Sequence, residues 1–178
     1  RLIKNNLINL LSIEKDGMFY VTQNYNKEIN NLRELADKYG TDKGSSLSYS
    51  PYYTWPAHNY TDYYVNLFQN IRNNPINLLE VGIGTNNTSI RSNMTEGGKP
   101  GASLYFFREF FPNSKIYGLD IDKDILFEDH RIKCFYVNQL DPNSINHVFE
   151  NELKFSDFVR DFVEHNNSKI VPKIMFFW

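Results

Sequence analysis

The sequence predicts an α/β fold, a Rossmann-like parallel sheet with flanking helices. Three observations carry this expectation. Residues 76–84, read INLLEVGIG, are an aliphatic run closed by an acidic residue and a glycine turn, the pattern of a strand buried on both faces. Two further apolar runs, KIYGLD at 115–120 and IKCFYV at 132–137, repeat it. Helix-like segments alternate with these runs, which implies right-handed crossovers and helices on both faces of the sheet.

At 178 residues the chain has enough length for one domain with a real core. Hydrophobic content of 41% and charged content of 22% describe a soluble globular chain, and 12 Tyr and 14 Phe imply a ring-rich core or pocket. A formal charge of −2 argues against a general grip on nucleic acid, which needs clustered Lys and Arg. The single cysteine, Cys134, excludes an internal disulfide and a multi-cysteine zinc site. No apolar run approaches the ~20 residues of a membrane-spanning helix. The stretch RLIKNNLINLLSI has no small-residue cleavage site, so no signal peptide is read and the cytoplasm is the expected location. Opening at Arg1 rather than Met suggests that residues precede it.

In chain order, residues 1–31 are expected to form an N-terminal helical segment, since Leu2, Ile3, Leu7, Leu10 and Leu11 make a helix-like stripe. A short extended piece is expected at Met18–Val21. The α/β domain occupies 32–178. It opens with a helix over 30–39 stopped by Gly40. A flexible GTDKGSS stretch follows, then SYSPYYTWPAHNYTDYY, too aromatic for a solvated linker and suited to covering the core or lining a pocket. Thr41, Asp42, Lys43, His58 and Tyr60 all fall between two helices, where binding groups concentrate. Thr61-Asp62 predicts the start of the second helix, over 62–70. After the first core strand, residues 85–101 are polar and aperiodic and read as an exposed loop. The sequence predicts a helix over 102–111, with Leu104, Phe107 and Phe111 on one side and Pro112 beyond its end. A short helix over 124–129 and another over 142–151 follow. FSDFVRDFVEHNN reads as an amphipathic helix, and KIVPKIMFFW as strand-like.

The three core strands end in Glu80-x-Gly82-x-Gly84, in Asp120-Ile121-Asp122 and in Asn138-Gln139. In a right-handed parallel sheet these ends lie side by side, where such sheets bind ligands. The glycines admit a polar group close to the backbone, and Glu80 is placed to accept hydrogen bonds from it. A carboxylate after the second strand accepts two ribose hydroxyls, and an amide after the third both donates and accepts at a base edge. Asn87 breaks the full G-x-G-x-x-G pattern, and Asp120 follows Gly84 by 120 − 84 = 36 residues rather than the ~20 usual for a dinucleotide site. Lys99 has no adjacent Ser or Thr, so there is no P-loop. What remains fits adenosine held without a pyrophosphate.

The stretches LADKYGTDKG, HNYTDYY, VGIGTNN, SNMTEGGKPGASL and FFPNSKIYGLDIDKDILFEDHRIKCFYVNQLDP resemble class I S-adenosylmethionine-dependent methyltransferases. The similar members are the macrocin-type O-methyltransferases and methyltransferases of surface-polysaccharide biosynthesis. The resemblance covers roughly residues 32–150. It implies an S-adenosylmethionine site in which Gly82 and Gly84 lie beside the methionine moiety, Asp120 holds the ribose, Ile121 is a further cofactor-binding residue, and Asn138-Gln139 lies near adenine. It implies that the segments carrying Thr41, Lys43, His58 and Tyr60 fold over the cofactor or the acceptor. The expected activity is O- or N-methylation of a small molecule or sugar in antibiotic or surface-polysaccharide pathways, with His58 as the visible base candidate. Such enzymes continue to a fourth strand ending in an acidic pair and a His, which serve the acceptor and in some members Mg2+. No such motif is present, no metal ligands are visible, and the fold is expected to be incomplete after the third strand. Residues are expected to be missing near 154/155 and after 178. A noncatalytic S-adenosylmethionine-binding fragment and an NAD-dependent oxidoreductase are the competing readings, and a homo-oligomer is compatible with either.

Overall fold

The computed structural model describes residues 11–15, 18–22, 31–44, 56–153 and 173–177, with side chains described for 31–44 and 56–153. Near the N-terminus β1 (Leu11–Lys15) pairs antiparallel with β2 (Met18–Thr22) in a two-stranded sheet of their own. The extended piece expected at 18–21 is therefore present, but the N-terminal helical segment expected over 1–31 is replaced by a strand over 11–15. The sequence between the two strands is Asp16-Gly17, a strong hairpin signal that outweighs the leucine spacing. Residues 1–10 of that expected helix lie outside the described residues.

The main sheet has the order β5-β6-β4-β3-β7. Its members are β3 (Asn77–Val81), β4 (Lys115–Asp120), β5 (Glu128–Asp129), β6 (Ile132–Tyr136) and β7 (Lys173–Phe177). All neighbours are parallel except the two-residue β5, which pairs antiparallel with β6. The strand-like run near the C-terminus thus adds a fourth parallel strand, on the far side of β3 from β4. The chain runs outward from β3 through β4 to β6 and returns across β3 to β7. β3 is the switch point of strand order, and its carboxyl end opens the crevice where sheets of this kind bind ligands.

Alternation along the strands sorts the core into two layers. Leu78, Ile116 and Ile132 face a cluster with rings from three helices: α1 (Asn31–Tyr39), α2 (Tyr60–Phe68) and α3 (Ala102–Phe110). Leu79, Val81, Leu119, Phe135 and Val137 face the other side and meet Val148. Helices flank both faces, as predicted. Glu80 shares the parity of Leu78 and therefore points beneath the helical layer.

The helices start and stop for local reasons. α1 ends in a Schellman motif: Gly40, at φ 73, and Thr41 send their N–H groups back to Asp37 and Ala36 carbonyls at 3.2 and 3.1 Å. α2 begins at Tyr60, two residues before the position expected from Thr61-Asp62, and gives way to a 3-10 turn at Gln69–Ile71. Its N-terminus has no side-chain cap; Thr61 N instead donates to Lys43 O at 3.0 Å. α3 is capped from outside, because the Arg131 guanidinium donates to the carbonyls of Arg108, Phe111 and Ser114, each at 2.8 Å. That recruitment explains a second difference from expectation. Residues 124–129 are not a helix but a 3-10 turn (Lys123–Ile125) followed by β5, which folds back on β6 through Arg131 at φ 60. The helix expected over 142–151 is α4 (Pro142–His147), which Asp141 caps, continued by a π-helical turn at Val148–Glu152. The amphipathic segment 155–167 lies outside the described residues.

Candidate functional site

The three strand ends are tied to one another before any ligand is considered. Gly82 N donates to Leu119 O and Val137 N to Asp120 O, each at 2.8 Å, so β3, β4 and β6 finish in register. Asp120 Oδ2 accepts Ile83 N at 2.9 Å and its Oδ1 accepts Asp122 N at 3.0 Å. The Asp122 carboxylate accepts from the Thr85 hydroxyl and from Asp124 N, which anchors the far side of the glycine turn. Gly82 and Gly84 stand at φ 83 and 85, the left-handed region where side chains are strained. At Gly84 the space is also taken, since a Cβ there would lie 2.4 Å from Met94 Sδ.

Over these strand ends lies a cavity of about 440 Å3, within the range of small-molecule sites. Gly82, Gly84, Asp120, Ile121, Asn138 and Gln139 form its floor and one end. Thr41, Asp42, Lys43, His58 and Tyr60 form the opposing wall. The structure thus gathers around one space every sequence-predicted site residue except Glu80. That carboxylate is fully buried behind the wall, where Oε1 lies 3.2 Å from Lys43 Nζ and Oε2 accepts Ser103 Oγ at 2.6 Å. Glu80 holds the loop that carries Lys43, rather than facing the cavity itself.

The loop is held by more than that pair. His58 N donates to Asp42 O and Asn59 N to Gly44 O, each at 2.8 Å, so residues 42–44 and 58–61 form one double layer of chain. His58 Nδ1 lies 3.2 Å from Asp42 Oδ2, and the ring rests against Tyr60 with centroids 5.2 Å apart. At the opposite end two large apolar side chains stay exposed inside the site, Ile121 at 44% and Leu140 at 87%. Beside them Asn138 Oδ1 accepts Leu140 N at 3.0 Å, and Asn138 N donates to Ser144 Oγ at 3.0 Å.

The segment 85–101 is more than the exposed loop expected. Ile90, Arg91, Ser92, Met94 and Lys99 border the cavity. Asn86 Nδ2 holds the segment closed by donating to Thr95 O at 2.5 Å and Gly98 O at 2.9 Å, and Met94 N donates to Thr85 O at 2.7 Å. Sequence periodicity could not expose this wall, because side-chain amides rather than a regular ladder fold it. Among the described residues no three His, Cys, Asp or Glu side chains gather in a way that would hold a metal ion. No helix among them is long and apolar enough to cross a membrane.

Comparison with known proteins gives the geometry a context. The chain is 32% identical over 139 residues to demethylmacrocin O-methyltransferase of Streptomyces fradiae. It is 30% identical over 139 residues to mycinamicin VI 2''-O-methyltransferase of Micromonospora griseorubida. Each match takes in 78% of this chain and 30% of the relative. Over most of its length the chain is similar to these macrocin-type O-methyltransferases. It spans about 30% of the length of these curated relatives. MycE methyltransferase from the mycinamycin biosynthetic pathway, solved in complex with Mg and SAH, superposes with a TM-score of 0.50 at 27% identity. That match covers 67% of this chain and 26% of MycE. No family model matches the chain. The α/β sheet shares the class I methyltransferase fold of that match.

Proposed function

We propose that this chain is the cofactor-binding part of an S-adenosylmethionine-dependent O-methyltransferase acting on a sugar or sugar-bearing small molecule. The single observation that carries the reading is the convergence of Gly82, Gly84, Asp120 and Asn138-Gln139 on one cavity. The named relatives are O-methyltransferases, which favours a hydroxyl over an amine as acceptor. The substrates in the relatives' names favour an antibiotic pathway; a surface-polysaccharide pathway and a cytoplasmic location are further parts of the proposal that the names do not address.

The residues fit the cofactor chemically. Each Asp120 oxygen uses one lone pair on a backbone N–H and keeps another for a ribose hydroxyl. Ile121 and Leu140 offer apolar surface to a flat base, and the Asn138 and Gln139 amides offer donors and acceptors to its edge. The two left-handed glycines bring backbone close to the methionine end, under the wall made by Thr41, Lys43 and Tyr60. Bound there, S-adenosylmethionine supplies an electrophilic methyl group on a sulfonium. The protein has then to align the acceptor oxygen with that methyl and receive its proton, work for positioned side chains. His58 is the base candidate on the wall. MycE was solved with Mg in addition to SAH; among the described residues here no three His, Cys, Asp or Glu side chains gather to hold a metal ion, and no step is assigned to one.

A thermal-shift comparison tests the cofactor assignment. A ligand at 100 times its dissociation constant stabilises the folded state by ~2.7 kcal/mol. S-adenosylhomocysteine is expected to raise the melting temperature and NAD to leave it unchanged; the reverse result would replace the methyltransferase by an oxidoreductase. Transfer of labelled methyl by the full-length protein separates an enzyme from a binding module.

A further inference from the structure

Most charged side chains that border the cavity are already engaged. Lys43 Nζ lies 3.2 Å from Glu80 Oε1, Asp42 Oδ2 lies 3.2 Å from His58 Nδ1, and the Asp120 oxygens accept Ile83 N and Asp122 N. Arg91 differs. It lines the cavity, is exposed, and makes no hydrogen bond or ion pair with any described residue. A guanidinium has donors only, so an electron-rich group has to satisfy it. The backbone beneath it is firmly held. Asn93 N donates to Ile90 O at 3.1 Å, closing a turn whose corner residues are Arg91 and Ser92. Asn93 Nδ2 donates to the same carbonyl at 2.6 Å, and Asn93 Oδ1 accepts Thr95 N at 3.0 Å. Met94 N donates to Thr85 O at 2.7 Å, which staples the turn to the strand-end glycines. Both corner side chains border the cavity, a fork of donors beside a hydroxyl, and Lys99 adds a second cation from the same segment.

We propose that Arg91, with Ser92 beside it, determines specificity for the acceptor by holding a carboxylate or phosphate carried on the sugar to be methylated. The assignment rests on the methyl-transfer reading above and narrows its substrate class to an anionic sugar. The cofactor alone is a poor match for this charge. S-adenosylmethionine carries a sulfonium and an ammonium against a single carboxylate, so further cations at the rim repel it on balance. An anionic acceptor reverses that sign. Carboxylate and phosphate oxygens share the chemistry a guanidinium recognises, two parallel N–H···O bonds strengthened by opposite charge. A turn fixed at both corners keeps that fork aimed at the rim, where an acceptor must approach the methyl group.

Titration calorimetry on the full-length protein saturated with S-adenosylhomocysteine tests the assignment. The probes are the methyl glycosides of glucose, galactose and mannose, the methyl glycosides of the matching uronates, and the matching sugar 1-phosphates. In at least one series an anionic member is expected to bind about 10-fold or more tightly than its neutral counterpart. A uronate doing so identifies the anion as a carboxylate, and a 1-phosphate identifies it as a phosphate. Arg91→Gln should erase the preference and Arg91→Lys should keep part of it, while the dissociation constant for S-adenosylhomocysteine stays within about twofold of the wild type in both. Labelled methyl transfer should favour the same anion, with the Arg91→Gln loss falling on KM more than on kcat. Anionic and neutral sugars binding alike in every series, or a preference that survives Arg91→Gln, would overturn the proposal. An Arg91→Gln loss confined to S-adenosylhomocysteine affinity would place the guanidinium on the cofactor's own carboxylate and overturn it too. A wild type that does not bind S-adenosylhomocysteine would overturn the methyl-transfer reading itself; binding of S-adenosylhomocysteine without any anion preference would remove the role of Arg91 alone.

Discussion

Glu80 and Lys43 sit where a carboxylate and an ammonium have almost no water, with side-chain exposures of 0% and 11%. Removing one partner of such a pair is costly because the other charge stays buried. Glu80→Gln is therefore expected to lower unfolding stability on the order of 3 kcal/mol, measured by urea denaturation. Adding Lys43→Met should cost less than the sum of the single changes, since no lone charge remains. A fully additive cycle would show that the two groups do not interact. Cys134 makes a different prediction. Burial pushes its thiol up to about 11 from an ordinary value near 9, with Glu80 and Asp120 adding to the effect. Below pH 9 the thiol is neutral whether the chain is folded or not. Between pH 9 and 11 only the unfolded chain releases the proton, so stability falls as pH rises, by on the order of 2 kcal/mol across that window. Burial also raises Tyr64, which adds to the alkaline loss in the same direction. Cys134→Ala should flatten the pH 9–11 slope and leave the Tyr64 part; an unchanged slope would assign all of it elsewhere.

At the scale of elements, α3 is seated on β4 through the missing side chain of Gly118. A Cβ at that position would lie 2.8 Å from Ile83 Cγ2 and from Leu104 Cδ1, and 3.0 Å from Cys134 Sγ. All three neighbours belong to packed core or its edge, so none can retreat cheaply. Gly118→Ala should cost about 1–3 kcal/mol through overpacking, a fall of several degrees in melting temperature by calorimetry. An unchanged melting temperature would mean that α3 rides freely on the sheet. The elements that sequence made legible are those whose packing repeats along the chain. β3, β4 and β6 are buried on two faces and read as continuous apolar runs, and α1 and α3 carry spaced apolar residues with a glycine or proline stop. What sequence hid depends on distant partners. The start of α2 is set by the Lys43 carbonyl, β5 by the reach of Arg131 to α3, and the 85–101 wall by Asn86. For the site, the strand-end residues were legible because parallel topology alone brings them together. The pairing of Lys43 with Glu80 was not, since 80 − 43 = 37 residues separate them and only sheet parity turns Glu80 under the helices.

For the whole molecule, the ordering of strands decides where a ligand is felt. β3 is central, and the chain leaves it on one side towards β4 and β6 and on the other towards β7. The cavity therefore draws its lining from stretches far apart in sequence but adjacent at one edge of the sheet: 41–43, 58–60, 81–85, 119–121 and 137–140. A ligand seated there orders all of them together, because binding stabilises only the state in which they are assembled. Amide hydrogen exchange with and without saturating S-adenosylhomocysteine should thus slow in these five stretches at once. The Lys115 end of β4 lies at the opposite edge of the sheet and should slow only by the global stabilisation, less than the five stretches. Slowing limited to 81–85 and 119–121 would mean that the cofactor touches the strand ends alone and that the wall carrying Asp42 and His58 closes over the acceptor instead. Uniform slowing across every element would report global stabilisation without a local site, and the crevice at the carboxyl end of β3 would lose its claim to the cofactor.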